Sequence, residues 1–140
     1  MKIIFFLLYA FISVAALSQS NDEQAVRKLL SDQSVARNNG NIEEFMKGYW
    51  QNDSLMFVGK NGVTYGWNNT LKNYKKGYPD TATMGKLVFT LINLKQLSPE
   101  YFHVTGKWHL QRSIGDVGGH FTLLFRKIKK QWLIIADHTS

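Results

Sequence analysis

The 140-residue sequence has no cysteine, only two prolines, and ten acidic residues against seventeen lysines and arginines. Without cysteine there is neither a disulfide framework nor a thiolate metal site. Any fold must therefore be held by its apolar core, which 44% apolar and 14% aromatic residues make feasible. There is no His-x-x-x-His pair with a carboxylate, no Gly-x-Ser-x-Gly elbow and no phosphate-binding glycine loop. Those absences remove the usual signatures of zinc hydrolases, α/β-hydrolases and nucleotide binders, and neither a cofactor nor a metal is expected. No internal repeat, low-complexity segment or linker divides the chain. The net charge of +7 is scattered over Lys72, Lys75-Lys76, Arg126-Lys127 and Lys129-Lys130. A nucleic-acid reader needs a clustered footprint, so these charges read as a solvated basic surface. Weak attraction to anionic cell-surface material stays open.

What is present begins with a leader. Lys2 gives a positive start, Ile3 to Ile12 is almost unbroken apolar sequence, and Ala16 and Ser18 are spaced as a cleavage site requires. The apolar run is shorter than the roughly 20 residues that span a bilayer. No cysteine follows it to take a lipid. The reading is a signal peptide over residues 1–18, one domain over residues 19–140 that begins near Gln19, and a secreted or periplasmic location with no stable membrane insertion.

The domain opens with helices. Asn21 with Gln24 fits a capping box, and Val26, Leu29, Leu30 and Ala36 give one apolar helical face that Asn38-Asn39-Gly40 ends. Asn41 with Glu44 opens a short second helix to about Tyr49. Ser54 to Val58 reads as a strand, Gly59 to Gly62 as a turn and Val63 to Tyr65 as a brief return. Trp67, Leu71, Tyr74 and Tyr78 fit one face of a third helix closed by Pro79. Four strands follow: Lys86 to Leu97, Tyr101 to about Gln111, Gly119 to Ile128 and Trp132 to His138. Helices followed by an antiparallel meander predict an α+β fold, with N-terminal helices packed on one side of a curved sheet.

Alternation along the strands sorts the faces. One set is Leu87, Phe89, Leu91, Phe102, Val104, Trp108, Leu110, Phe121, Leu123, Phe125, Trp132, Ile134, Ala136 and His138, expected to face the helices. The other carries Thr105, Lys107, His109, Thr122, Arg126 and Asp137, together with Val88, Ile92, Leu94, Leu124, Leu133 and Ile135. Those six aliphatics predict a homodimer through the outer sheet face; cover by loops or the N-terminal segment is the alternative.

Across the chain, Gly48-Tyr49-Trp50, Asp53-Ser54, Gly66-Trp67 leading to Tyr74, Tyr78-Pro79-Asp80, Met84-Gly85, Gly106-Lys107-Trp108, Gly119-His120-Phe121-Thr122 and Trp132 with Asp137-His138-Thr139-Ser140 form a set. It resembles the SnoaL-like branch of the nuclear transport factor 2-like superfamily, in an exported subgroup of unknown function. The resemblance implies a cone-shaped, cystatin-like roll. That superfamily includes ketosteroid isomerases, dehydratases, epoxide hydrolases, polyketide cyclases and members without catalysis, so the fold alone assigns no reaction. Against the isomerase pattern, the catalytic Asp position falls near Val58 and a first-helix Tyr position near Gln33. Both departures argue against isomerase chemistry.

The candidate acid/base groups are His138 and Asp53. His138 is the lone polar residue on the inner set and could serve near pH 7, or be a core histidine held by a carbonyl or by Asp53. Asp53 either caps a turn or pairs with His138 or a tyrosine. Trp50, Trp67, Tyr74 and Trp108 are amphipathic rings suited to line a ligand pocket with His138, or to pack the core. His103, His109 and His120 share the outer parity, with a bulge at Gly118-Gly119 able to redirect His120. Beside a purely structural or interaction domain with a filled cone, the sequence leaves two readings open. One is an exported protein that binds a small, mainly apolar molecule in the cone. The other is an isomerase, dehydratase or hydrolase using His138 with Asp53 or a pocket tyrosine.

Overall fold

The structure, a computed structural model, describes residues 21–140, and the expected leader and its cleavage site lie outside them. Helix α1 runs over 21–38, with Asn21 already helical rather than capping. Val26, Leu30 and Ala36 are buried and Leu29 packs against the core. Gln33 and Arg37 fall on the same stripe and are buried with them, because three- and four-residue steps return to one helical face. Gly40 takes a left-handed φ of 77°, and the Asn41 side chain then accepts from the Glu44 N–H to start α2, Ile42–Met46. In the first turn of α1, the Asp22 carboxylate accepts from Lys127 at 2.9 Å and Trp132 Nε1 at 3.1 Å. That contact fastens the helix to the far side of the fold.

Strands β1 (Met56–Gly59) and β2 (Gly62–Tyr65) form a hairpin, followed by α3 (Trp67–Gly77). A four-residue helix, α4 (Thr81–Met84), was not anticipated; the Asp80 side chain caps it by accepting from the Thr83 N–H at 2.8 Å. The remaining strands are β3 (Lys86–Ser98), β4 (Tyr101–Gln111), β5 (Val117–Ile128) and β6 (Gln131–Thr139). Lys129 and Lys130 both have positive φ, as the commonest two-residue hairpin turn demands. The sheet order is β2-β1-β6-β5-β4-β3. Every neighbouring pair is antiparallel except β1 with β6, which is parallel.

Two bulges decide which side chains enter the core. In β3, Leu91 pairs with Gly106 and Asn93 with Thr105, so Ile92 is supernumerary. One extra residue reverses the alternation beyond it. Leu94, expected on the outer face, therefore packs against the core, and Ile92 stays 54% exposed. In β6, Phe125 pairs with Ile134 and Leu124 with Ala136, so Ile135 is supernumerary. Its other flank is irregular too. Ile134 bridges Tyr49, whereas Ala136 already pairs with Met56. The chain from 50 to 55 loops away between those two contacts, and the bulge takes up the difference. Beyond it Asp137 and Thr139 point inward, and His138 is exposed. The expected inward His138 and outward Asp137 are thus exchanged. Among the described residues no helix is long and apolar enough to cross a membrane.

Candidate functional site

The helices do not fill the concave face of the sheet. A cavity of about 730 Å³ remains between α1, α3, the β1–β2 hairpin and strands β3–β6. Its sheet wall is apolar, from Leu87 and Phe89 through Trp108 and Leu110 to Phe121 and Leu123. Phe57, Tyr74 and Tyr78 face them. Phe57 and Phe45 each present an edge-to-face contact to Tyr74, at 5.8 and 5.1 Å between centroids, and Tyr78 stacks on it at 6.1 Å. Such packing restrains the Tyr74 ring and holds its hydroxyl in place.

Asp137 is the one carboxylate in the cavity wall, and only 4% of it is exposed. Pairing with Leu123 on one side and Phe57 on the other sets its direction. Tyr49 donates its hydroxyl to Oδ2 at 2.7 Å, and Thr139 donates to Oδ1 at 2.6 Å. The Tyr49 hydroxyl also lies 3.5 Å from that of Tyr74. Burial disfavours the charged form and lifts the Asp137 pKa to about 6, although Thr139, Tyr49 and neighbouring His138 pull the other way. Both phenols are pushed up as well, chiefly by burial and then by the Asp137 charge. The cluster can therefore hold or release one proton in the near-neutral range, with Tyr49 as its fixed donor.

Two further polar side chains reach the cavity from α1. Gln33 is 3% exposed and donates to the Phe45 carbonyl at 3.0 Å. Arg37 is 2% exposed, donates from Nη1 to the Met84 carbonyl at 2.9 Å, and lies 4.4 Å over the Tyr78 ring. Burial draws its pKa down. Lys60 and Lys76 line the exposed rim.

Of the residues singled out in the sequence, Tyr74 and Trp108 stand at the cavity wall. Trp50 is half-buried away from it, its N–H donating to the Ile134 carbonyl. Trp67 packs against the core and donates its indole N–H to the Met46 carbonyl at 2.8 Å. Asp53 is exposed in the turn before β1 and His138 is exposed on the outer face, so the two do not meet in the cavity. His109 pairs at the surface with Asp116 at 3.0 Å, and His120 is exposed on a β5 that starts at Val117. Gln33 and Arg37 were legible as polar members of the Val26–Leu30–Ala36 stripe. Asp137 was not, because its inward direction depends on the bulge at Ile135. No group of three His, Asp or Glu residues that could hold a metal occurs among the described residues.

No protein-family profile matches the chain, and no curated protein matches it. Solved structures do. A nuclear transport factor 2-like protein of unknown function from Shewanella oneidensis is 40% identical, with a TM-score of 0.82 over 85% of this chain and 98% of its own. A domain of unknown function with a cystatin-like fold from Nostoc punctiforme shares 13% identity, covers 86% of this chain and 76% of its own, and gives a TM-score of 0.72. A further nuclear transport factor 2-like protein of unknown function, from Pseudomonas putida, gives 0.69 at 16% identity over 86% of this chain and 87% of its own.

Proposed function

The chain belongs to the nuclear transport factor 2-like family, and we propose that within it this member is an exported protein that holds a small, mainly apolar molecule in its cone. The observation that carries this reading is the cavity itself: about 730 Å³, walled by aliphatic and aromatic side chains, with a single buried carboxyl at Asp137. Ligand sites are commonly of this kind, an apolar hollow with a few fixed polar groups that orient the guest. The aromatic faces supply affinity and the Tyr49–Asp137–Thr139 cluster supplies orientation. Export rests on the leader over residues 1–18 and cleavage near Gln19, which N-terminal sequencing of material from outside the cytoplasm checks. The decisive test of binding is titration with N-phenyl-1-naphthylamine, a neutral probe that fluoresces in apolar surroundings. Saturation at one probe per chain is expected. A linear, unsaturable response removes the reading.

One observation favours a second reading, proton-transfer catalysis. A buried Asp137 with a pKa of about 6 beside the Tyr49 hydroxyl has the acidity a general acid or base needs. Such chemistry would use Asp137 and Tyr49, since His138 and Asp53 lie outside the cavity. Binding ranks first because both carboxylate oxygens already accept from the protein's own hydroxyls.

A further inference from the structure

Arg37 is the one buried cation in the cavity wall, and among the described residues no carboxylate forms an ion pair with it. Its contacts are a carbonyl, from Met84, and an aromatic face, from Tyr78. Both orient a guanidinium without neutralising it. A buried charge is costly unless it is paired, and a guanidinium presents five N–H donors in a planar fork that matches a carboxylate. The opposite charge in the same wall is differently placed: Asp137 has a hydroxyl donor on each oxygen. The rim adds two more cations, Lys60 and Lys76, and no acid. A guest that enters this cavity meets three cations and one carboxylate, and of the two buried charges the carboxylate has a hydrogen-bond donor on each oxygen whereas the guanidinium has no ion-pair partner among the described residues.

Building on the cavity-binding reading, we propose that the natural guest is a small amphipathic carboxylate, with its head group on Arg37 and its apolar body against the Phe89, Trp108, Phe121 and Leu123 wall. Arg37 is then the residue that sets specificity for an anion, and Tyr78 holds its plane toward the cavity. A neutral guest of the same shape leaves Arg37 unpaired, and an amine adds a like charge.

The test compares 2-naphthylacetate with 2-naphthylacetamide, which share a ring system and nearly a shape, by isothermal titration calorimetry on the full mature chain. The acid is expected to bind at least tenfold more tightly than the amide. In Arg37→Met, which keeps length and loses charge, the two should bind alike. Equal affinities in the parent protein overturn the anion assignment while leaving cavity binding intact. Failure of both probes removes cavity binding itself. An acid preference that survives Arg37→Met puts the anion on Lys60 and Lys76 and overturns the role of Arg37. Tighter binding of 2-naphthylethylamine than of the acid makes Asp137 the head-group partner and does the same. If Arg37→Met does not fold, Arg37→Lys serves: it keeps the charge but loses the fork, and a drop in acid preference of at least threefold is expected; an unchanged preference overturns the fork's role.

Discussion

The β4–β5 pair and the strands on either side of it obey different rules. From Tyr101–Arg126 to Leu110–Val117, β4 and β5 pair residue for residue without a break. Phe102, Val104, Leu110, Phe121, Leu123 and Phe125 accordingly all reach the core from alternate positions. The flanking strands carry extra residues, Ile92 and Leu97 in β3 and Ile135 in β6. Within the pair, alternation translates directly into burial. At the flanks, one inserted residue reverses it, and in β6 that reversal delivers a carboxyl to the cavity. The regular region supplies a large share of the buried core, and the irregular one places Asp137 in the cavity wall.

The largest effect should come from the regular pair. Phe102 is almost fully buried and meets Trp132 edge to face at 5.3 Å. Phe102→Ala should cost about 3–5 kcal/mol, as core phenylalanine deletions do. A loss under about 1 kcal/mol in urea denaturation would mean that the pair is not a main source of stability.

Next comes the pH dependence that the β6 bulge creates. In the folded chain the Asp137 pKa is raised from 3.8 to about 6, so the native state holds this proton more tightly than the unfolded one. Its stabilising share is complete below about pH 4 and is lost as pH rises through about 6. The total is about 3 kcal/mol, at about 1.4 kcal/mol per pH unit. Urea titrations between pH 4.5 and 7.5 should show that decline, and Asp137→Asn should flatten it. An identical slope in the variant would assign the titration to another group.

How much of this was readable in advance follows the same division. The order of helices and strands, the meander and the core of β4 and β5 follow from local periodicity, which the structure keeps. The α4 turn was passed over, although Asp80 three residues before Thr83 can act as an ordinary cap. The parallel union of β1 with β6 was not readable, because pairing between segments some 80 residues apart leaves no local trace. The bulges were equally hidden, since Ile92 and Ile135 have nothing in their side chains to mark them as supernumerary. Those two long-range features together place Asp137 inside and His138 outside. Arg37 was missed, and Gln33 was named only as the residue at a tyrosine position, for a different reason: a search for apolar periodicity passes over polar residues on an apolar stripe.

The outer face offers a smaller test. Val88 and Ile92 remain exposed, and Leu94 no longer belongs with them. We propose that this side, with Leu124 and Leu133, pairs with a second copy of the chain. Ile92→Lys should then give a monomer in sedimentation with stability changed by no more than about 0.5 kcal/mol. A parent protein that sediments as a monomer at micromolar concentration would end the proposal.

The smallest effect is expected at His138. It is exposed on the outer face, so His138→Gln should shift stability by no more than about 0.5 kcal/mol and leave N-phenyl-1-naphthylamine binding unchanged. A weakened probe signal would return the imidazole to the cavity and undo the contrast between the two ends of β6.

The single inserted residue at Ile135 also has an evolutionary meaning. Changes of chain length are usually accommodated in loops, where side-chain direction is not at stake. Here the loss of one codon would restore strict pairing along β6 while leaving Leu124 opposite Ala136 and Leu123 opposite Asp137. Residues opposite one another in a sheet share a face, so the carboxyl would stay inward and the imidazole outward. A chain lacking Ile135 should accordingly show a His138 ring signal by NMR that is indifferent to a cavity probe, and an imidazole that responds would mean that the register slipped instead. Relatives that share this sheet could in this way gain or lose a residue within β6 and keep the same polar group in the cavity, a length change that a position-by-position comparison would record only as a gap.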